Sequence, residues 1–176
     1  SFKKSDGSDF TMAANEVSQI AVTEDTLIEN TATGSDSPTY THSLNNKYFR
    51  LSSPTNDYYV WYSVSGQPAI DPAADNIGRT GIPVVITGGA TAIEVATATS
   101  TVINGIADFT ASSANELVTV TNANAGIPLD VLTDGAGGKE TGFGLQVVTA
   151  GAPTMIDFMF SEVYSYLTHH QSFLTL

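Results

Sequence analysis

The chain has 176 residues, with 18 acidic against 6 basic side chains and no cysteine. A net charge of −12 leaves no basic surface to displace counterions from nucleic-acid phosphates or to approach an anionic membrane. The missing cysteines remove disulfides, thiolate metal sites and cysteine nucleophiles together.

Charged residues make up only 14% of the chain, against about 25% in an average domain, so folding must rest on burial rather than ion pairing. The length fits one domain with extensions. The opening SFKKSDGSDF has no apolar run behind its lysines and does not read as a signal peptide. No stretch approaches the ~20 apolar residues of a spanning helix, and no N-x-[ST] sequon occurs. A small residue at position 1 is compatible with loss of an initiator methionine. The expectation is a near-complete chain made in the cytosol.

Residues 1–16 read as an extended arm with Phe2, Phe10 and Met12 as its apolar anchors. Such an arm is either a tail without stable structure or one ordered by a neighbouring subunit. From Val17 to Glu29, Ile20 and Val22 alternate with polar neighbours, as Leu27 does with its own, which predicts short strands. Residues 30–39 are a loop by composition.

The clearest strands are 48–52 (YFRLS) and 58–65 (YYVWYSVS), rich in aromatic and β-branched residues. Pro54–Asp57 joins them as a hairpin. In the second strand Tyr58, Val60, Tyr62 and Val64 share one face, and Tyr59, Trp61 and Ser63 the other. Both faces are apolar, so cover is expected on both sides. A Pro/Gly/Asp loop follows over 66–81, then a short strand at 82–87, which Pro83 places at a sheet edge or near the strand start.

Residues 91–104 carry the one strong helical signal. Thr91 and Glu94 have capping-box spacing. Ala92, Val95, Ala96, Thr99, Val102, Ile103 and Ile106 fall on one face, and Gly105 is a natural stop. The helix has almost no charge and must pack on a sheet to persist. Strands at 107–111 and 117–121 follow, joined through 112–116. The Gly/Asn-rich run 122–141 is long for a loop in a compact domain, and a last strand is predicted at 143–149. Over 154–168, Ile156, Met159, Phe160, Val163 and Leu167 follow a helical period, while Ile156, Phe158 and Phe160 also alternate as in a strand. Helix is the preferred reading.

The expected fold is therefore α+β: a mainly antiparallel sheet with one packed amphipathic helix over about 91–104, and extended terminal arms. The chain divides into an N-terminal arm (1–16), one α+β domain (17–151) and a C-terminal interaction segment (152–176).

Segments in order from Tyr58 to Gly151 carry a resemblance. They are YYVWYSVSG, DPAADNIGRTGIPVVI, GATAIEVATATSTVINGIADFTAS, LVTVTNANAG and TGFGLQVVTAG. Together they resemble a recurrent module of tailed-bacteriophage virion structural proteins. There an aromatic strand, a Gly/Asp/Pro loop, a GKTG-like turn (here Gly78-Arg79-Thr80-Gly81), an Ala-rich helix and a VTVTN strand follow in that order. The resemblance covers a little over half of the chain, implies a virion component and brings no catalytic residues.

Each residue group that suggests chemistry also has an ordinary structural role. The loop Asp134–Thr141 (DGAGGKET) suggests a phosphate loop. However, Thr133 stands where the first glycine belongs, and Glu140 where Ser or Thr follows the lysine, so a hairpin is preferred. His169 and His170 are adjacent, point about 100° apart on a helix, and lie far from His42, so a contact role is preferred to metal binding. Asp71 with Asp75, or Asp6 with Asp9, lacks a calcium-loop pattern. Ser63 and Ser65 have no G-x-S-x-G elbow. The aromatics Tyr48, Phe49, Tyr58, Tyr59, Trp61 and Tyr62 suit either a sugar platform or a two-sided core, and the core is preferred.

The resulting expectation is a non-enzymatic protein without cofactor or metal, located in the virion. A capsid decoration (cement) protein is preferred; a tail, neck or fibre component and a glycan-binding adhesion module are the alternatives. Its partners would be major capsid or other virion proteins, with homo-oligomerisation, a trimer being favoured, and neither nucleic acid nor membrane. Phe2, Phe10, Met12, Phe158, Phe160, Tyr164, Leu167 and Phe173 are the expected interface residues. The surplus of large side chains over 156–167 makes that segment an interface candidate.

Overall fold

The computed structural model describes residues 13–22 and 44–153. Their fold is α+β, built from eight strands in two sheets and, among the described residues, one α-helix. In chain order the elements are β1 (Val17–Ala21), β2 (Tyr48–Ser52), β3 (Asp57–Val64), β4 (Thr80–Ile86), α1 (Ala92–Asn104), β5 (Phe109–Ala114), β6 (Leu117–Asn122), β7 (Thr133–Asp134) and β8 (Gly144–Thr149).

The first sheet has the order β5-β6-β1-β8 and is antiparallel throughout. The second has the order β4-β3-β2-β7. It is antiparallel except for the β3–β4 pair, where Tyr58 stands beside Thr80 and Val64 beside Ile86 in parallel register. Parallel neighbours need a long crossover, which residues 65–79 supply with a single 3-10 turn at Pro72–Asp75.

One core joins both sheets to the helix. Ile20, Val118 and Val120 come from the first sheet, Phe49, Val60, Tyr62, Ile82 and Val84 from the second, and Val95, Ala96 and Ile103 from α1. Tyr58, Val60, Tyr62 and Val64 all face this core, as the alternation predicts. Ring edges lock the layers: Tyr58 meets Phe109 at 5.3 Å between ring centres, and Tyr62 meets Phe143 at 5.7 Å.

The capping box forms as its spacing requires. The Thr91 N–H donates to Glu94 Oε2 at 2.8 Å, and the Glu94 N–H returns to Thr91 Oγ1 at 3.3 Å. The Thr91 backbone N–H, with its hydroxyl, holds the Glu94 carboxyl below its ordinary pKa. The buried stripe is Ala92, Val95, Ala96, Thr99, Ser100 and Ile103, with Val102 and Ile106 half-buried at its margin. Ser100 sits in the stripe by returning its hydroxyl to the Thr97 carbonyl at 3.0 Å.

Several boundaries differ from expectation. Gly105 closes the helix in right-handed geometry at φ −78°, with the Ile106 N–H bonding the Ile103 carbonyl, so a tightened last turn ends it without the left-handed glycine. The expected 112–116 connection is mostly strand, because β5 runs to Ala114 and turns through Asn115 at φ 53°. β4 begins at Thr80, inside the expected loop. The 122–141 run contains β7, which pairs with β2 at Phe49–Asp134 and Arg50–Thr133. Just before β1, Ala14 bridges Ala152 in both directions, and the Glu16 carbonyl accepts from the Asn122 N–H at 2.9 Å; residues 1–12 of the expected N-terminal arm lie outside the described residues. The expected strand at 27–29, the loop 30–39 and the tail 154–168 lie outside the described residues.

Candidate functional site

The outer face of the second sheet gathers the side chains with most chemistry. Cross-strand rows put Tyr48 beside Trp61 and Arg50 beside Tyr59, with Pro83 and Gly81 completing those rows on β4. Gly81 is required there, because a Cβ would lie 2.5 Å from Tyr59 Oη.

The 66–79 loop is fastened over this face. The Asn45 side chain donates to the Pro68 carbonyl at 2.8 Å, and Asn46 Oδ1 accepts the Ile70 N–H at 2.6 Å. Tyr59 Oη donates to Asp71 Oδ1 at 2.7 Å. Arg50 reaches Asn76 Oδ1 at 3.0 Å and the Asp75 carbonyl at 2.9 Å. Lys139 pairs with the Asp75 carboxylate. Burial, with the bond to Asp71, pushes the Tyr59 hydroxyl up to about 12.

The six aromatics of the sugar-platform reading separate. Phe49, Tyr58 and Tyr62 face the core, while Tyr48 and Tyr59 are buried on the other side and meet edge-on at 6.4 Å. Trp61 alone is half-buried, beside exposed Pro83.

The Asp134–Thr141 loop is closed by its own first residue. Asp134 Oδ1 accepts from the Gly135 N–H (2.9 Å), the Thr141 N–H (2.8 Å) and the Thr141 hydroxyl (2.7 Å), and Oδ2 accepts from the Gly142 N–H (2.8 Å). Backbone amides converging on one point form an anion-binding nest. Here the bound anion is the Asp134 carboxylate, and the loop lysine lies on Asp75.

Sequence reasoning missed two further clusters. Asp108, just before β5, accepts from Ser53 Oγ at 2.6 Å, Asn56 Nδ2 at 2.9 Å and Tyr58 Oη at 3.1 Å. These donors, Ser53 first, hold its carboxyl below the ordinary range. Arg79 pairs with Asp130 and approaches Asp57 at 3.6 Å. Neither cluster carries a local signal, since Asp108 meets partners at least 50 residues away in sequence.

Among the described residues no three His, Asp or Glu side chains gather as a metal site, and no helix is long and apolar enough to cross a membrane. Ser63 is half-buried on β3, and Ser65 is exposed just beyond it. The expected interface residues Phe2, Phe10, Met12, Phe158, Phe160, Tyr164, Leu167 and Phe173 lie outside the described residues, as do His42, His169, His170, Asp6 and Asp9. No family model, curated protein or solved structure matches the chain.

Proposed function

We propose that the chain is a non-enzymatic structural component of a tailed-bacteriophage particle, a capsid decoration protein that binds neighbouring virion subunits by burying apolar surface. The observation that carries this reading is the ordered run of segments from Tyr58 to Gly151, which resembles a virion module. The structural context is compatible with it. The polar side chains that suggested chemistry are engaged with one another: Asp134 in its own loop, Asp71 with Tyr59, and Asp75 with Lys139. Exposed Ile70, Ile77, Ile127, Leu129 and Val131 supply apolar surface that contacts between subunits can cover.

Quantitative mass spectrometry of purified particles, with a cryo-electron map into which the chain is fitted, tests the reading. Hundreds of copies on the shell are expected. A handful at a unique axis would move the protein to the neck, tail or fibre, and absence from the particle would overturn the reading.

A further inference from the structure

Exposed sheet edges invite pairing with other chains, and folded proteins blunt them with short strands, proline, charge or cover. Among the described strands, three of the four sheet edges are blunted. On β4, the Ser65 N–H donates to the Ile86 carbonyl. By alternation Ile82, Val84 and Ile86 turn their backbone groups to β3, and Pro83 occupies an outward position where no N–H remains to offer. On β5, the outward N–H of Ala111 is taken by Asn104 Oδ1 at the end of α1, at 3.0 Å. β7 has two residues.

β8 is different. It has six residues, GLQVVT, with no charge and no proline, and five of the six are exposed. Val147 and Val148 are 41% and 51% exposed. Its open positions follow from the ladder. The Asn122 N–H donates to the Glu16 carbonyl and the Val22 N–H to the Glu116 carbonyl, so Ser18, Ile20 and Val22 turn their backbone groups to β6. Gln19 and Ala21 therefore turn to β8, opposite Gln146 and Gly144. Among the described residues no strand lies on the other side of β8, so the N–H and C=O of Leu145 and Val147 face an edge that no described strand pairs with. The register shift at the Val17 end leaves this stretch regular.

We propose that this edge is a homodimer interface, in which β8 pairs antiparallel with β8 of a second copy about a two-fold axis at Gln146. Two features select a second copy as the occupant. An antiparallel edge is self-complementary about a two-fold axis. In addition, copies of a chain with net charge −12 repel each other except where their contact is uncharged, and the strands of the first sheet contain no Asp, Glu, Lys or Arg.

Centring on Gln146 lets Leu145 exchange both backbone bonds with the partner's Val147, and Val147 with the partner's Leu145. The two side chains of each such pair then lie together on the core side, covering Val147. Gln146 meets the partner's Gln146 on the outer face, beside a shallow groove of about 340 Å³ lined by Gln19, Ala21, Leu117 and Gly144. The inference does not rest on the virion reading.

The test uses the full chain, which has no native thiol. Opposed residues at a non-hydrogen-bonded antiparallel position have Cα atoms about 4.5 Å apart, within disulfide reach. Gln146→Cys should therefore form a disulfide-linked dimer under mild oxidation, whereas Thr149→Cys should not. Sedimentation equilibrium should show a wild-type dimer. Val147→Pro, which removes an outward N–H, and Val147→Glu, which places two like charges near the axis, should each weaken it at least about tenfold. Circular dichroism identifies a variant that has lost its fold, in which case the other variant decides. A monomeric wild type, a trimer indifferent to both variants, or equal cross-linking at 146 and 149 would overturn the proposal, and none of these results bears on whether the chain is found in virions.

Discussion

The two sheets meet in one core but are held by different physics. The strands of the β5-β6-β1-β8 sheet are built from Val, Ile, Leu, Ala, Ser, Thr, Gln, Asn, Phe and Gly, with no ionisable side chain. The β4-β3-β2-β7 sheet carries three tyrosines on β3 and one on β2. All four described cations, Lys47, Arg50, Arg79 and Lys139, lie on or beside it, each with an acceptor. The first sheet holds its place mainly by burial and its backbone ladder, with Asn104 bonding the Ala111 N–H and Asn15 the Asn122 carbonyl at its margins. The second adds a belt of side-chain hydrogen bonds that ties an irregular crossover to its outer face. In a chain poor in charge, the described cations thus stand where long loops need fastening, and the strands of the first sheet carry none.

The sharpest way to break this contrast is to put a charge where burial alone operates. Ile103, fully buried on α1, is the position of choice. Ile103→Asp strands an unpaired carboxylate in the core, and its desolvation with the lost packing amounts to more than about 4 kcal/mol. The expected outcome is loss of soluble folded protein on expression. A cooperative urea transition near that of wild type would show that the helix face is wrongly placed.

A smaller loss is expected in the belt. Asp134→Ala leaves four donors without their acceptor, and because the loop is only half-buried, water recovers part of the bonding. A loss of about 2 kcal/mol is expected in urea unfolding, with proteolysis between 135 and 142 rising in step. Wild-type stability in that variant would mean that the carboxylate does not organise the loop.

The buried hydroxyl pair between β3 and α1 should matter less still. Thr99 Oγ1 donates to the Val95 carbonyl at 2.7 Å, so Tyr62 Oη is the donor in its 2.8 Å bond to Thr99. Tyr62→Phe should cost about 1 kcal/mol. It should also change the pH dependence. Burial raises the Tyr62 pKa well above 10.0, and Tyr58 and Tyr59 are raised as well. With folded values above the unfolded value, the chain binds more protons folded than unfolded once pH passes about 10. Stability is then full below that pH and falls as pH rises toward the folded values. Unfolding curves between pH 8 and 12 should show this decline, and Tyr62→Phe should make it shallower. An unchanged slope would assign the alkaline loss to other groups.

The smallest effect is expected on the open side of α1. Thr97 is exposed, and its hydroxyl returns to the Ile93 carbonyl at 2.8 Å. Thr97→Lys should shift stability by less than about 0.5 kcal/mol, measured as a nearly unchanged melting temperature. A large loss there would mean that α1 is covered on both sides.

The amino-acid sequence by itself determined the elements whose causes are local. β2 and β3 follow from aromatic and β-branched runs around a Pro-Thr-Asn-Asp turn. The start of α1 follows from Thr91 and Glu94 three residues apart, and its inward stripe from helical spacing. Pro83 marked its strand as lying at a sheet edge or as starting nearby, and β4 is an edge strand of the second sheet.

What the tertiary structure alone decided depends on residues far apart in the chain. The parallel β3–β4 pair and the division into two sheets cannot be read from periodicity, because a strand's alternation is the same whichever neighbour it takes. Asp108 looks like any loop aspartate until Ser53, Asn56 and Tyr58 fold against it. Asp134 sits in a run that resembles a phosphate loop, and only the turn through Thr141 and Gly142 brings the amides onto its carboxylate. The open edge of β8 is likewise a property of the assembled sheet: GLQVVT reads as an ordinary strand, and it is the placement of β1 on one side, with no described strand on the other, that leaves Leu145 and Val147 facing outward.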